Sequence, residues 1–116
     1  MSIDCIRQLC KKLKGVTEDV KWGNDLCFCV GGKMFCVSPL EGAFNASFKC
    51  SDEDFAELTE RENIIPAPYM ARNKWVHVEK ASALKKQEWE DYVLQSYQLV
   101  ASKLPKKIQR EIGLVE

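Results

Sequence analysis

The stretch Leu26-Cys27-Phe28-Cys29-Val30-Gly31-Gly32-Lys33-Met34-Phe35-Cys36-Val37-Ser38 decides the fold. Two β-rich runs flank a pair of glycines. Both positions of a two-residue hairpin turn can require positive φ, which glycine adopts without a Cβ penalty. The spacing therefore predicts a hairpin with Val30 opposite Lys33, Cys29 opposite Met34, Phe28 opposite Phe35 and Cys27 opposite Cys36. Alternation then places Leu26, Phe28, Val30, Phe35 and Val37 on one face. Cys27, Cys29, Met34 and Cys36 fall on the other.

Outward from this hairpin the chain reads as alternating helical and extended pieces. Ile3, Ile6, Leu9, Cys10 and Leu13 recur at helical spacing, and Gly15 is a stop. Thr17-Glu18-Asp19 reads as a turn leading to Lys21-Trp22-Gly23. After the hairpin, Pro39–Gly42 is a turn and Ala43–Lys49 a third strand, with Phe44, Ala46 and Phe48 inward. Ser51 caps a short helix through Arg61, with acidic residues in its first turn. Ile64-Ile65, interrupted by Pro66 and Pro68, belongs to an edge or a loop. Lys74–Glu79 is a further strand. A long helix runs from about Lys85 to Lys103, and Pro105 starts a short one through Glu111, ended by Gly113. The fold class is α+β: two layers, a curved antiparallel sheet with helices on one face, in the order α-β-β-β-α-β-β-α.

The 116 residues form one domain, 1–116, with 46% apolar and 29% charged residues, a globular composition. Basic and acidic residues balance at 17 each, so the global basic excess of a nucleic-acid-coating protein is missing, though a local patch is compatible with this balance. No run approaches a transmembrane span. Charges at Asp4, Arg7, Lys11, Lys12 and Lys14 interrupt any signal-peptide core. The expected compartment is the cytoplasm, where the six cysteines stay reduced, and the expected state is a monomer.

Three stretches carry a family resemblance. They are Pro66-Ala67-Pro68-Tyr69-Met70-Ala71-Arg72-Asn73-Lys74-Trp75-Val76, Ser96-Tyr97-Gln98-Leu99-Val100 and Lys103-Leu104-Pro105-Lys106-Lys107. Together with Lys21-Trp22-Gly23 and the hairpin they resemble the MmcQ/YjbR family of small bacterial proteins. The resemblance implies a frataxin-like (CyaY-like) α+β fold, likened also to type III secretion chaperones. It also implies the family's usual label, a DNA-binding double-wing protein. It brings no catalytic motif and no cofactor.

The residues themselves offer four kinds of site. Arg72, Lys74 and Trp75, with Lys103, Lys106, Lys107 and Arg110, form a basic–aromatic set that can contact phosphates and stack on a base. The structural alternative is a core tryptophan and a solvated helix end. Cys27, Cys29, Cys36 and His77 do not have the spacing of a common zinc module, and cysteine serves equally as a small buried hydrophobe. A Cys27–Cys36 cross-strand disulfide is conceivable by geometry, but a reducing compartment opposes it. A reactive cysteine needs a neighbouring base. The lone His77 reads as a solvated strand residue, and an iron site on the first helix fails because that helix is basic. The sheet face bearing Cys27, Cys29, Met34 and Cys36 is apolar for a solvent face. Either Ile64–Arg72 folds over it, or it receives a protein or small ligand. The expectation is a non-enzymatic binding domain with DNA as first candidate and no metal.

Overall fold

A computed structural model describes residues 1–68 and 70–114, so Tyr69 of the proline-rich motif lies outside the described residues. The glycine hairpin forms as expected. Strands β2 (Asp25–Val30) and β3 (Lys33–Pro39) meet at Gly31 and Gly32, whose φ values are 57° and 78°. Val30 pairs with Lys33 and Cys29 with Met34.

The register then slips. Phe28 pairs with Cys36 and Cys27 with Val37, because Phe35 is an extra residue, a β-bulge on β3. The expected pairs Phe28–Phe35 and Cys27–Cys36 are therefore corrected. A one-residue shift exchanges faces, so Cys36 turns inward beside Phe35 and both are fully buried, while Val37 moves to the outer face. Cys27 and Cys36 now stand on opposite faces, which removes the geometry of a cross-strand disulfide. The described cysteines are all free thiols.

The segment read as a turn is a strand, β1 (Val16–Lys21), paired along its length with β2. Its Glu-Asp pair is a poor strand former and most of the strand is exposed. Pairing with the hairpin and an ion pair from Arg7 to Glu18 (2.9 Å) hold it. β4 (Ala46–Lys49), β5 (Ile64–Pro66) and β6 (Trp75–Val78) complete an antiparallel six-stranded sheet in the order β1-β2-β3-β4-β6-β5. One more strand thus precedes the second helix than expected. The proline-bearing β5 is an edge strand, as its prolines require. It extends the sheet rather than folding over it, so Ile64–Pro66 do not cover the cysteine-bearing face.

Helices α1 (Ile3–Lys11), α2 (Asp52–Leu58), α3 (Lys86–Ala101) and α4 (Lys106–Glu111) follow the apolar periodicity. Ser2 and Ser51 cap α1 and α2 by accepting from the N–H of Cys5 and Asp54. One core joins Ile6 and Cys10 of α1, Leu58 of α2, and Trp89, Val93 and Tyr97 of α3 to the inward side chains Phe28, Val30, Phe35, Phe48, Val76 and Val78. Among the described residues no helix is long and apolar enough to cross a membrane.

Gly31 does a second job. A Cβ placed there would stand 2.6 Å from Leu104 Cδ1 and 3.0 Å from Ile108 Cγ2. The hairpin tip therefore packs directly beneath the α3–α4 junction. Gly31→Ala is expected to cost about 1–3 kcal/mol, because overpacking adds to a strained positive φ. A denaturant midpoint unchanged from that of Gly32→Ala, where a Cβ meets nothing within 4 Å, would contradict this.

Candidate functional site: a lysine-rimmed cleft at the end of helix α3

The bulge at Phe35 has a consequence for α3. β3 and β4 pair only at Cys36–Phe48 and Val37–Ser47. The next pair in register would be Phe35–Lys49, and there Ser96 takes the place of the ladder. Its hydroxyl donates to the Phe35 C=O (2.6 Å) and accepts from the Lys49 N–H (2.9 Å). The adjacent Tyr97 donates its hydroxyl to the Lys14 C=O (2.6 Å), tying α3 to the end of α1. The Ser-Tyr pair thus fixes where the C-terminal end of α3 sits between two separating strands.

A cleft of about 300 Å³ opens at this separation. Its walls come from every stretch that carried the resemblance. Asn73 and Trp75 belong to the proline–basic–tryptophan segment, Leu99 and Val100 to the Ser-Tyr segment, and Lys103, Leu104 and Pro105 to the third. The hairpin adds Lys33 and Met34, and β4 adds Lys49. The lining therefore holds three lysines over an apolar floor and no carboxylate. Lys49 is half-buried and donates from Nζ to the Asn73 C=O (2.6 Å). Burial first, and then the like charge of Lys103, lower its pKa. The described ion pairs are made by Arg7 and Arg61, and none involves these lysines.

The residues singled out in the sequence divide between this cleft and its surroundings. Trp75 lines the cleft but is only 6% exposed, so it does not offer an open ring face for stacking, and that expectation is corrected. Lys74 has φ 62° and holds its ammonium 5.0 Å from the Phe55 ring centroid, a cation–π contact that points it toward α2. Arg72 is exposed on the short 3-10 turn Ala71–Asn73 beside the cleft. Lys106, Lys107 and Arg110 are exposed on α4, which begins where Pro105 leaves the lining. A helix-end explanation suits Lys103, just past the end of α3. It fails for Lys106 and Lys107, which occupy the first turn of α4, where the dipole disfavours cations. Lys33 and Lys49 were missed. The signal that could have found them is register, since Lys49 pairs with Trp75.

The cysteine-bearing face does not present its thiols. Cys27 is fully buried and Cys29 is 5% exposed. Both lie between β1 and β3 side chains, and burial is the first cause raising both pKa values. His77 is half-buried, not free in solvent, and its Nδ1 lies 2.8 Å from the Ser47 hydroxyl. Burial lowers its pKa. None of these three residues lines the cleft.

Similarity to solved structures follows the same architecture. The crystal structure of the Deinococcus radiodurans protein DR2400, with a DUF419 domain, superposes with a TM-score of 0.87 at 23% identity, covering 97% of this chain and 88% of that one. A Pseudomonas syringae protein solved in a structural genomics programme gives 0.70 at 18% identity, over 85% of this chain and 98% of that one. At these identities the likeness is one of fold. No curated protein matches the chain. The sequence over residues 11–99 matches the YjbR family model, and with hairpin, Ser-Tyr pair and tryptophan segment all built into one fold, the chain belongs to the YjbR family.

Proposed function

We propose that the protein is a non-enzymatic nucleic-acid-binding module that holds the phosphate backbone on the lysine-rimmed cleft and the adjoining α4. The observation that carries this reading is segregation of charge. A chain of zero net charge lines one cleft with Lys33, Lys49 and Lys103 and no carboxylate, and sets Lys106 and Lys107 beside it against a helix dipole. Clustered cations without partners raise the local potential and favour polyanions. Arg72, next to the lining residue Asn73, extends the rim, and Arg110 adds a cation further along α4, while Lys74 serves the fold around the cleft.

The test is a fluorescence-anisotropy titration of labelled single-stranded and duplex DNA at several salt concentrations. Three phosphate contacts predict that log K falls against log salt with a slope of about −2 or steeper for a single strand. A flat response, or no binding at low salt, overturns the reading.

A further inference from the structure

We propose that the cleft is a pocket for one unpaired nucleotide, so that the module recognises single strands or strand ends in preference to intact duplex. This rests on the reading above and narrows it. Phosphate contact alone calls for an exposed cationic surface, and α4 already presents one. The cleft adds something phosphates do not use: an apolar floor of Met34, Trp75, Leu99, Val100 and Leu104 under a cationic rim. An apolar floor rewards a ligand with a desolvated, weakly polar body, and the rim rewards an anion attached to it. A nucleotide combines the two.

Size favours the same ligand. About 300 Å³ lies at the lower limit of small-molecule pockets. Bases of a duplex are paired and stacked, and do not enter such a space. An unpaired base can be splayed out and laid against side chains. The lysines also suit an anion. Lys49 is half-buried with Lys103 acting on it as a like charge, and a phosphate between them offsets that repulsion. The contact from Lys49 to the Asn73 C=O (2.6 Å) holds the ammonium at the cleft wall in advance.

The test compares an oligothymidine of about twelve nucleotides, within the site sizes of single-strand binders, with a duplex of the same sequence at one salt concentration. The wild-type protein is expected to prefer the single strand by about tenfold or more, since an unpaired base can be desolvated against the apolar floor and a paired one cannot. Leu99→Trp fills the cleft and keeps every cation, and is expected to abolish the preference, bringing the ratio of single-strand to duplex affinity to about one. A second readout needs no variant. The indole N–H resonance of Trp75 is expected to shift with thymidine monophosphate and not with inorganic phosphate. Trp22, 70% exposed, and the fully buried Trp89 are internal references. Equal, salt-dependent affinity for single strand and duplex overturns the pocket and leaves the backbone-binding reading standing. A Trp75 shift of equal size with inorganic phosphate also overturns the pocket, leaving a simple anion site. Absence of salt-dependent binding to either nucleic acid overturns both.

Discussion

Ser96→Ala is expected to destabilise the fold by about 3 kcal/mol. The hydroxyl removed is fully buried and serves two backbone groups at once, the Phe35 C=O and the Lys49 N–H. Both belong to strands that have already parted, so neither finds a ladder partner when the hydroxyl is removed. A buried backbone group left unpaired costs about 1–3 kcal/mol, which applies in full to the Phe35 C=O and in part to the half-buried Lys49 N–H. The hole left is the size of one oxygen, too small to admit a water that would replace it. With total stabilities of roughly 5–15 kcal/mol, this is a large share of what holds a domain folded. Tyr97→Phe is the natural comparison. It removes one hydroxyl that reaches one carbonyl, Lys14 C=O, and is expected to cost about 1 kcal/mol. Urea unfolding of the two variants measures the difference. A Ser96→Ala destabilisation no larger than that of Tyr97→Phe would show that the strand junction rearranges to satisfy itself.

The same junction explains which parts of the molecule were legible in the sequence. The hairpin turn was, because Gly31-Gly32 carries a local conformational demand that few other residues meet. The helices were, because their apolar stripes and the caps at Ser51 and Gly113 are local signals. β5 as an edge strand was legible from its prolines. The bulge at Phe35 was not. Nothing in Phe-Cys-Val distinguishes a regular strand from one with an extra residue, and the cause lies sixty-one positions away, where Ser96 takes up the Phe35 carbonyl. That single residue then reassigned Cys36 and Val37 to new faces. β1 was missed for a related reason. Its Thr-Glu-Asp run favours a turn, and only pairing with the hairpin overrides it.

The candidate site was legible in part. The basic and aromatic segments were visible as segments, and two residues singled out in them, Trp75 and Lys103, line the cleft, together with neighbours such as Asn73 and Leu104 that were not. Their convergence was not visible, since it depends on the tertiary placement of the end of α3. Lys33 and Lys49, isolated in the sequence, become site residues only through strand register. Conversely, the cysteine-rich face drew attention by composition, yet its thiols are covered by neighbouring strands.

Reversing the charge of two cleft lysines provides the largest expected functional effect. Lys33→Glu/Lys103→Glu is expected to weaken single-stranded DNA binding by about 100-fold or more at low salt. The magnitude of the salt slope is expected to fall by about 1.4, at about 0.7 for each of the two phosphates no longer neutralised. Both residues are exposed at the rim and no described ion pair involves either one, so stability is expected to change little. The double reversal also lowers the net charge by four, since each position passes from +1 to −1 on a chain of formal charge +0. Long-range repulsion alone would therefore slow association. Lys80→Glu/Lys86→Glu makes the same change in net charge at exposed positions, with Lys86 at the opposite end of α3, about 25 Å from Lys103 at 1.5 Å per residue. At that distance, beyond two Debye lengths in about 0.1 M salt, its effect is expected to be a few-fold and to vanish as salt is raised. A local contact and a global field thus separate experimentally. If the two pairs of reversals weaken binding equally, the cleft has no special role and attraction is diffuse. If the cleft pair alone collapses affinity and slope together, the phosphates lie where β3 and β4 part around Ser96.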